Sequence, residues 1–403
     1  MPKNNFHSTA ELLSAFSGDE AKNFEQYFKF SNGGKIVDLE IYAVGNEDTN
    51  VQYSSKWGTW KQTNNILRIK TKDGYEGVSG VTSNNEDAFT DKQILELKSI
   101  TALLLNLESL DPIEVRRLIT NQRPDLSDPS LSSIDIALWD LAANKASLPL
   151  YKLLGAKRDS IQAYASLPFF ESLSSYVNVV KNYADLGFLV FKFHVWGLIN
   201  KDSKLINLIQ KEFSESPYRF MLDLEGEYNF DDALRLGELM DDSLFIWLEA
   251  PIDEELLYEY KQLRNKIKVP IIADGFNMYS SEFIKEGIDN DSWDAGRFDA
   301  TMIGGISKAL ELLIISNNAK LPIEIQSWGH SLAQAANLHI IFANELTKYF
   351  EIPMPKEIYE FGMKNGILFE DGEVFATMNH GLGINVDWEK LSEADYYIKY
   401  GVN

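Results

Sequence analysis

The stretch Phe188-Leu189-Val190-Phe191-Lys192-Phe193-His194 is an apolar run that ends in polar residues. Similar runs recur further along the chain, and their polar ends are Asp223, Glu249, Asp274, Asp299 and His330. The steps from Lys192 to His330 measure 25 to 31 residues, enough for one strand, one loop and one helix. This repeat predicts an α/β fold with a parallel β/α barrel, in which polar residues at the C-terminal strand ends carry the chemistry.

The overall composition limits the class of protein. The chain has 403 residues, which suits a barrel together with a second domain. Its net charge of −22 argues against nucleic acid and against an anionic membrane surface as partners. The absence of cysteine excludes disulfides, thiolate zinc sites and cysteine nucleophiles. No signal-peptide pattern or transmembrane run is evident, so we expect a cytoplasmic location.

The order of the elements suggests four segments. We expect a helical extension over 1–34, an α+β domain over 35–130, a barrel over 131–355 and a C-terminal segment over 356–403. The predicted antiparallel strands of the second segment are 36–44, 65–72 and 75–81, and helices are expected at 92–107 and 132–145. The predicted barrel helices are 201–213, 230–241, 253–266, 280–288, 305–319 and 331–346, and 349–353 is the expected eighth strand.

Three carboxylates are expected on one rim of the barrel. Asp223, Glu249 and Asp274 end three successive strands, so their side chains would lie side by side. Crowded carboxylates repel one another unless a cation neutralises them, and hard oxygen ligands with room for water suit Mg²⁺. Such an ion can hold a substrate carboxylate and stabilise the enediolate that forms when the α-proton leaves.

Two groups of candidate bases flank this rim. Lys192 and His194 lie on one strand with one residue between them, so both point to the same face. Asp299 and His330 end the sixth and seventh strands, and a carboxylate beside a histidine would fix its tautomer. One group could remove a proton while the other returns it or protonates a leaving hydroxyl. Each residue alone has a structural explanation, but their joint occurrence favours a site.

The sequence around these residues resembles the enolase superfamily, in its mandelate racemase and muconate-lactonising branch. The most specific stretches are Ser133 to Leu141, Trp247 to Pro251, Met302 to Ile306 and Asn379 to Gly383. The resemblance spans roughly residues 35–390. It implies a modified (β/α)₇β barrel, an N-terminal capping domain that the C-terminal segment completes, one Mg²⁺, and removal of a proton α to a carboxylate.

The resemblance also assigns roles to individual residues. Asp223 and Glu249 match the first two metal ligands, and Asp299 and His330 match a histidine–aspartate dyad. Lys192 matches the first lysine of a Lys-x-Lys pair. The resemblance therefore implies catalytic groups on both sides of the metal.

Two positions depart from the family pattern. The second lysine position holds His194, which has a lower pKa than lysine. The third metal ligand is usually a glutamate after a glycine, and a straight alignment puts Phe276 there. A shift of one residue makes Asp274 the ligand, and Asn277 is a weaker candidate.

Four further residues are candidates for substrate binding. Glu225 follows Asp223 by two residues and fits an extra ligand, a substrate contact or an acid. In the sequence, Glu351 falls near the position at which the racemase has a carboxylate that hydrogen-bonds the substrate carboxylate. Trp57 and Trp60 lie in the loops near 46–64, which the resemblance implies close over the substrate. These tryptophans fit a substrate lid and packing between domains equally well.

The expected activity is dehydration of a sugar acid to a 2-keto-3-deoxy acid by a lyase. A racemase or epimerase with the same site is the first alternative, and cycloisomerisation is the next. A barrel that binds a carboxylate without turnover is the alternative outside enzymes, and Phe276 is the feature that favours it. Family analogy implies a homo-oligomer.

Overall fold

The structure is a computed structural model, and it describes residues 6–18, 27–28, 35–46, 51–53, 62–82, 91–107, 109–275, 280–391 and 396–401. The strands are β1 (Ile36–Asn46), β2 (Gln62–Thr71), β3 (Glu76–Thr82), β4 (Ser160–Ser166), β5 (Val190–His194), β6 (Arg219–Asp223), β7 (Phe245–Glu249), β8 (Ile271–Ile272), β9 (Gly296–Phe298), β10 (Ile323–Ile325), β11 (Phe350–Pro353), β12 (Leu368–Glu370), β13 (Glu373–Phe375) and β14 (Tyr396–Gly401). The helices are α1 (Thr9–Ser17), α2 (Asp91–Leu105), α3 (Pro112–Gln122), α4 (Asp128–Ala146), α5 (Leu150–Leu153), α6 (Leu173–Ala184), α7 (Ile199–Phe213), α8 (Phe230–Leu239), α9 (Leu257–Arg264), α10 (Ser281–Asn290), α11 (Ile306–Ala319), α12 (Ser331–Phe342) and α13 (Trp388–Leu391).

Strands β4 to β11 form the barrel. Parallel pairing joins β4 to β8 in sequence order, β9 to β10, and β11 back to β4. A bridge between Ile272 and Ala295 connects β8 to β9, and Ser327, just after β10, exchanges hydrogen bonds with the backbone of Glu351 on β11. Helices α6 to α12 follow the first seven barrel strands, whereas a single 3₁₀ turn, Lys356–Tyr359, follows β11. The predicted modified (β/α)₇β barrel is therefore confirmed.

The barrel interior has an apolar layer beneath a polar one. The apolar layer is a cluster made of Tyr164, Val190, Met221, Trp247, Ile272 and Ala295. Side chains two residues apart on a strand share a face, so the next inward positions lie directly above this layer. Those positions hold the residues Ser166, Lys192, Asp223, Glu249, Asp274 and Arg297. The alternation of the strands thus gathers the polar residues at the C-terminal end of the barrel.

The N-terminal sheet is antiparallel, in the order β14-β1-β2-β3. The C-terminal strand β14 pairs with β1, so both ends of the chain contribute to one sheet. Helix α4 packs closely on β3, because Gly77 has no side chain and a Cβ there would clash with the carbonyl of Ala137. This is the α+β capping domain that the resemblance implied, although the four domain boundaries stay predictions.

Two acidic residues of the Ser133 to Leu141 stretch link the sheet to the barrel. Asp135 accepts hydrogen bonds from the backbone and the hydroxyl of Ser307, at 2.9 and 2.5 Å, at the start of α11. Asp140 accepts hydrogen bonds from the backbone of Val78 on β3, at 2.8 Å, and of Leu382, at 2.6 Å. Burial raises the pKa of Asp135 to about 6 and that of Asp140 to about 7. This stretch therefore holds the two parts of the fold together.

Most sequence-predicted elements agree with the structure to within a few residues. The sequence did not indicate helices α3 and α6 or the hairpin of β12 and β13. The predicted helix at 331–346 ends earlier, at Phe342. None of the helices in the described part of the chain is both long and apolar enough to cross a membrane.

Candidate active site

Lys192 lies at the centre of the polar layer. Its ammonium nitrogen is 3.3 Å from Asp223, 3.1 Å from Glu249 and 3.0 Å from Glu351, and the residue is 1% exposed. The strand register explains this grouping, because His194 pairs with Asp223 and Asp223 pairs with Glu249 on adjacent strands. The structure therefore brings together four residues that the sequence predicted for the site, namely Lys192, Asp223, Glu249 and Glu351.

Arg297 is a second buried cation, which sequence reasoning did not identify. Its Nε is 2.9 Å from Glu249 and its Nη2 is 2.8 Å from Glu351, while the phenol oxygen of Tyr164 lies 3.3 Å away. The residue is 0% exposed, and a guanidinium does not lose its charge in a protein. Arg297 lies two residues before Asp299, and this spacing on a strand was the available indication that it faces the site.

These cations control the ionisation of the carboxyl groups. Burial raises the pKa of Glu249 to about 7, with Arg297 and Lys192 opposing the rise and Asp223 adding to it. Burial would also raise the pKa of Glu351, but the charges of Lys192 and Arg297 reverse this effect and lower it to about 2. Burial lowers the pKa of Lys192, yet Glu249 and Glu351 raise it well above its ordinary value. In this arrangement Lys192 carries its proton as an ammonium ion at neutral pH.

Asp274 adds another carboxyl group to the rim. Burial raises its pKa well above the ordinary value, and the negative charges of Asp223, Glu254 and Glu249 raise it further. Its neighbour Gly275 donates a backbone hydrogen bond of 2.7 Å to Glu254. The other two residues considered for the third ligand position, Phe276 and Asn277, lie outside the described residues.

Two carboxylates of the predicted metal rim contact protein cations in this structure. Within the described residues, no three histidine, aspartate or glutamate side chains are arranged to hold a metal ion. The physical reason is that the ammonium of Lys192 already lies between Asp223 and Glu249, in the position of a shared cation. The oxygens of Asp223, Glu249 and Asp274 still form the donor set that Mg²⁺ prefers. The donors therefore fit a divalent ion, provided that Lys192 is displaced.

His194 presents one ring nitrogen to this cluster. Its Nδ1 lies 2.8 Å from the carbonyl of Leu167. A carbonyl only accepts, so we assign the proton of the neutral ring to Nδ1 and the free lone pair to Nε2. Nε2 lies 3.7 Å from Asp223. Burial and the charge of Lys192 lower the pKa of His194 to about 4, so the ring is neutral at pH 7.

The expected pairing of Asp299 with His330 is not formed. His330 Nδ1 lies 3.2 Å from the carbonyl of Tyr359, and its buried Nε2 has no hydrogen-bond partner within the described structure. Asp299 instead accepts from the backbone and hydroxyl of Thr301, both at 2.8 Å, and from Asn337 at 2.7 Å. A backbone carbonyl therefore orients His330, and Asp299 organises the turn after β9. Burial lowers the pKa of His330 to about 4 and raises that of Asp299 to about 6.

The candidate substrate contacts have different surroundings. Glu225 lies with Oε1 4.0 Å from His194 Nε2, so it faces the same side as Asp223, as its spacing predicts. Glu351 has both carboxylate oxygens in contact with protein cations, so binding a substrate through it would require Lys192 to move. Trp57 and Trp60 lie outside the described residues.

Comparison with known families and proteins agrees with this fold. The family described as "Enolase C-terminal domain-like" matches residues 175–390. The family described as "Mandelate racemase / muconate lactonizing enzyme, N-terminal domain" matches residues 42–155. The chain belongs to the enolase superfamily, in the mandelate racemase and muconate lactonizing branch. The resemblance and the fold that the sequence predicted are thereby confirmed.

The relatives within this superfamily are enzymes of two classes. The L-talarate/galactarate dehydratase of Salmonella typhimurium is 27% identical over 81% of this chain and 82% of its own length. The D-Ala-D/L-Ala epimerase of Cytophaga hutchinsonii is 25% identical over 65% of this chain and 71% of its own. Lyases and isomerases, the two classes that the sequence predicted, are thus both present among the relatives.

Solved structures show the same fold. A Pseudovibrio protein provisionally described as a mandelate racemase/muconate lactonizing enzyme has a TM-score of 0.86 and 30% identity, covering 92% of this chain and all of its own. A mutant L-talarate/galactarate dehydratase, liganded with Mg and L-glucarate, has a TM-score of 0.82 and 22% identity, covering 100% of this chain and 97% of its own. The magnesium belongs to that protein.

Proposed function

We propose that this protein is a Mg²⁺-dependent sugar-acid dehydratase that removes the proton α to a carboxylate and expels the β-hydroxyl. The product is a 2-keto-3-deoxy acid. The observation that carries this proposal is the pair of neutral histidines, His194 at the end of β5 and His330 at the start of α12, each with Nδ1 at a backbone carbonyl. The dehydratases among the relatives support the choice of substrate class.

The histidines supply the proton chemistry of this reaction. The buried Nε2 of His330 has no partner within the described structure and carries the free lone pair, so it suits removal of the α-proton. The imidazolium that results can return the proton to the departing β-hydroxyl, which leaves as water. The enol then becomes the keto acid. A pKa of about 4 keeps the resting ring neutral at pH 7, so that Nε2 is free to accept a proton.

Mg²⁺ is the proposed cofactor, held by Asp223, Glu249 and Asp274. When bound, it supplies positive charge to the substrate carboxylate and to the enediolate. The charge balance favours a divalent ion. Within the described part of the chain, these three groups and Glu351 face two buried cations, even without counting Glu225 and Glu254. Two negative charges remain if all four groups are ionised. Lys192 would leave Asp223 and Glu249 when the ion binds, which would free its ammonium for the substrate.

The cofactor proposal is tested by thermal unfolding. An ion that binds only the folded state raises the melting temperature of the protein as the concentration of the ion rises. We expect wild type to respond to millimolar Mg²⁺ and Glu249→Gln to respond much less. If wild type shows no response, or if the variant responds equally, this rim does not hold the ion.

The activity is tested with aldonic, uronic and aldaric acids, in the presence of Mg²⁺ and with 2-keto-3-deoxy product as the readout. We expect one acid, or a small group of acids with the same configuration, to be dehydrated. His330→Asn keeps the size of the side chain but removes the base, so it serves as the matched negative control. Product formed by wild type and by His330→Asn at similar rates would contradict the mechanism.

A racemase or epimerase is the second candidate function. It is favoured by the position of His194 at the end of β5 and of His330 at the start of α12, from which two bases could serve opposite faces of one carbon, and by the epimerases among the relatives. Deuterium in recovered substrate, without keto acid, would distinguish this case from dehydration. A cytoplasmic location and a homo-oligomeric state stay predictions.

A further inference from the structure

Tyr53 connects the described residues 51–53, which follow β1, to the barrel. It is 5% exposed, and its hydroxyl donates a 2.9 Å hydrogen bond to the carbonyl of Met354, just after β11. The preceding residue, Gln52, accepts a backbone hydrogen bond of 2.5 Å from Phe169, in the loop after β4. This short segment therefore docks on two separate barrel loops through specific hydrogen bonds.

The ring of Tyr53 lies against His194. The two ring centroids are 5.2 Å apart and the planes meet at 85°, an edge-to-face contact. On another side, the ring makes an edge-to-face contact with Trp328, at 5.3 Å and 89°. Trp328 lies in the loop that leads to His330. Tyr53 thus contacts one candidate base directly and packs on the loop that carries the other.

The hydroxyl of Tyr53 also reaches His330 through Tyr359. The hydroxyl of Tyr359 donates a 2.8 Å hydrogen bond to the hydroxyl of Tyr53. The backbone carbonyl of the same Tyr359 lies 3.2 Å from His330 Nδ1 and accepts a bond of 3.2 Å from Ser331. Tyr359 is therefore held at its side chain by Tyr53, while its carbonyl fixes the tautomer of His330.

We propose that Tyr53 is a positioning residue that orients both histidines when its segment docks on the barrel. The ring supports His194, and the hydroxyl supports His330 through Tyr359. Docking of one short segment would then assemble both proton-transfer groups together. The effect of Tyr53 on turnover rests on the proposed function, whereas its effect on the orientation of the two histidine rings is independent of that function.

The two halves of this proposal predict different outcomes for two substitutions. Tyr53→Phe keeps the ring and removes the hydroxyl, so it should disturb His330 and leave His194 in place. Tyr53→Leu removes the ring as well, so it should disturb both histidines. Tyr42→Phe is the matched control, because Tyr42 is also 5% exposed and its hydroxyl donates to Glu40 on the capping sheet, 3.0 Å away.

The experiment is nitrogen NMR of the histidine rings in the full-length protein, with only histidine labelled. The chain has five histidines, so assignment by single substitution is practical. The spectra are recorded at about pH 7.5, well above the pKa values of His194 and His330. In wild type we expect both rings to be neutral with the proton on Nδ1. Tyr53→Phe should shift the His330 signals alone, and Tyr53→Leu those of both rings.

Kinetics provide a second readout once a substrate is known. We expect Tyr53→Phe to lower kcat at least tenfold with a change in KM below about threefold, and Tyr42→Phe to change neither. The proposal is overturned if Tyr53→Phe leaves the His330 signals unchanged, or if Tyr42→Phe shifts the same signals. A blank substrate screen with the expected NMR shifts would count against the proposed function and not against the role of Tyr53.

Discussion

Replacement of Arg297 by methionine should strongly destabilise the fold. The guanidinium is fully buried and contacts Glu249 at 2.9 Å and Glu351 at 2.8 Å. Breaking a buried ion pair by removing one partner costs about 3–5 kcal/mol, because the other charge stays buried without compensation. Lys192 still contacts both carboxylates, so we expect the lower end of this range, about 3 kcal/mol.

Arg264→Met provides the matched control. Arg264 also contacts two aspartates, Asp291 and Asp294, but its side chain is 29% exposed. Solvent screens such a pair, so its removal should cost no more than about 1 kcal/mol. The assay is urea unfolding of wild type and both variants, followed by tryptophan fluorescence and circular dichroism.

The loss in Arg297→Met should also depend on pH. Without the guanidinium, the pKa values of Glu249 and Glu351 rise in the folded state. A carboxyl group with a raised folded pKa destabilises the fold as pH rises through that value, so the deficit should be larger at pH 8 than at pH 5. A loss below about 1 kcal/mol at pH 8, equal to that of Arg264→Met, would refute the role of Arg297 as a buried counter-ion.

Three further outcomes are expected. His330→Asn should lower kcat by far more than tenfold while circular dichroism shows an intact fold. A loss of tenfold or less, which is a rise of about 1.4 kcal/mol in the activation free energy, would remove His330 from the mechanism. The free energy of unfolding of wild type relative to His330→Asn should fall by about 3 kcal/mol between pH 7 and pH 4. The reason is that the histidine pKa drops from 6.5 to about 4 on folding, so protonation favours the unfolded state. A pH-independent difference in urea unfolding would contradict this. Asp274→Ala should weaken Mg²⁺ binding, measured by calorimetry, more than Asn277→Ala, and the reverse order would identify Asn277 as the third ligand.

The barrel and its rim were predictable because they follow from local rules. Apolar runs that end in polar residues at steps of 25 to 31 residues define strand ends, and the two-residue period of a strand defines which side chains face the interior. Lys192, Asp223 and Glu249 were located in this way. Arg297 obeys the same rule, since it lies two residues before Asp299, although it was not among the predicted site residues.

Other features depended on contacts that no local pattern encodes. The partner of His330 is the carbonyl of Tyr359, which lies 29 residues away and could not be inferred from either side chain. Asp299 instead accepts hydrogen bonds from Thr301 and Asn337. The position of Tyr53 depends on docking between distant parts of the chain, so sequence reasoning looked instead to the nearby tryptophans.

Exchange of the α-proton in heavy water tests the central claim most directly. The purified protein with Mg²⁺ is incubated in D₂O with a set of sugar acids, and proton NMR follows the α-position together with any keto acid. We predict that at least one acid loses its α-proton signal and yields a 2-keto-3-deoxy acid, and that His330→Asn suppresses both changes. Retention of the α-proton in every acid, with no product, would contradict the account.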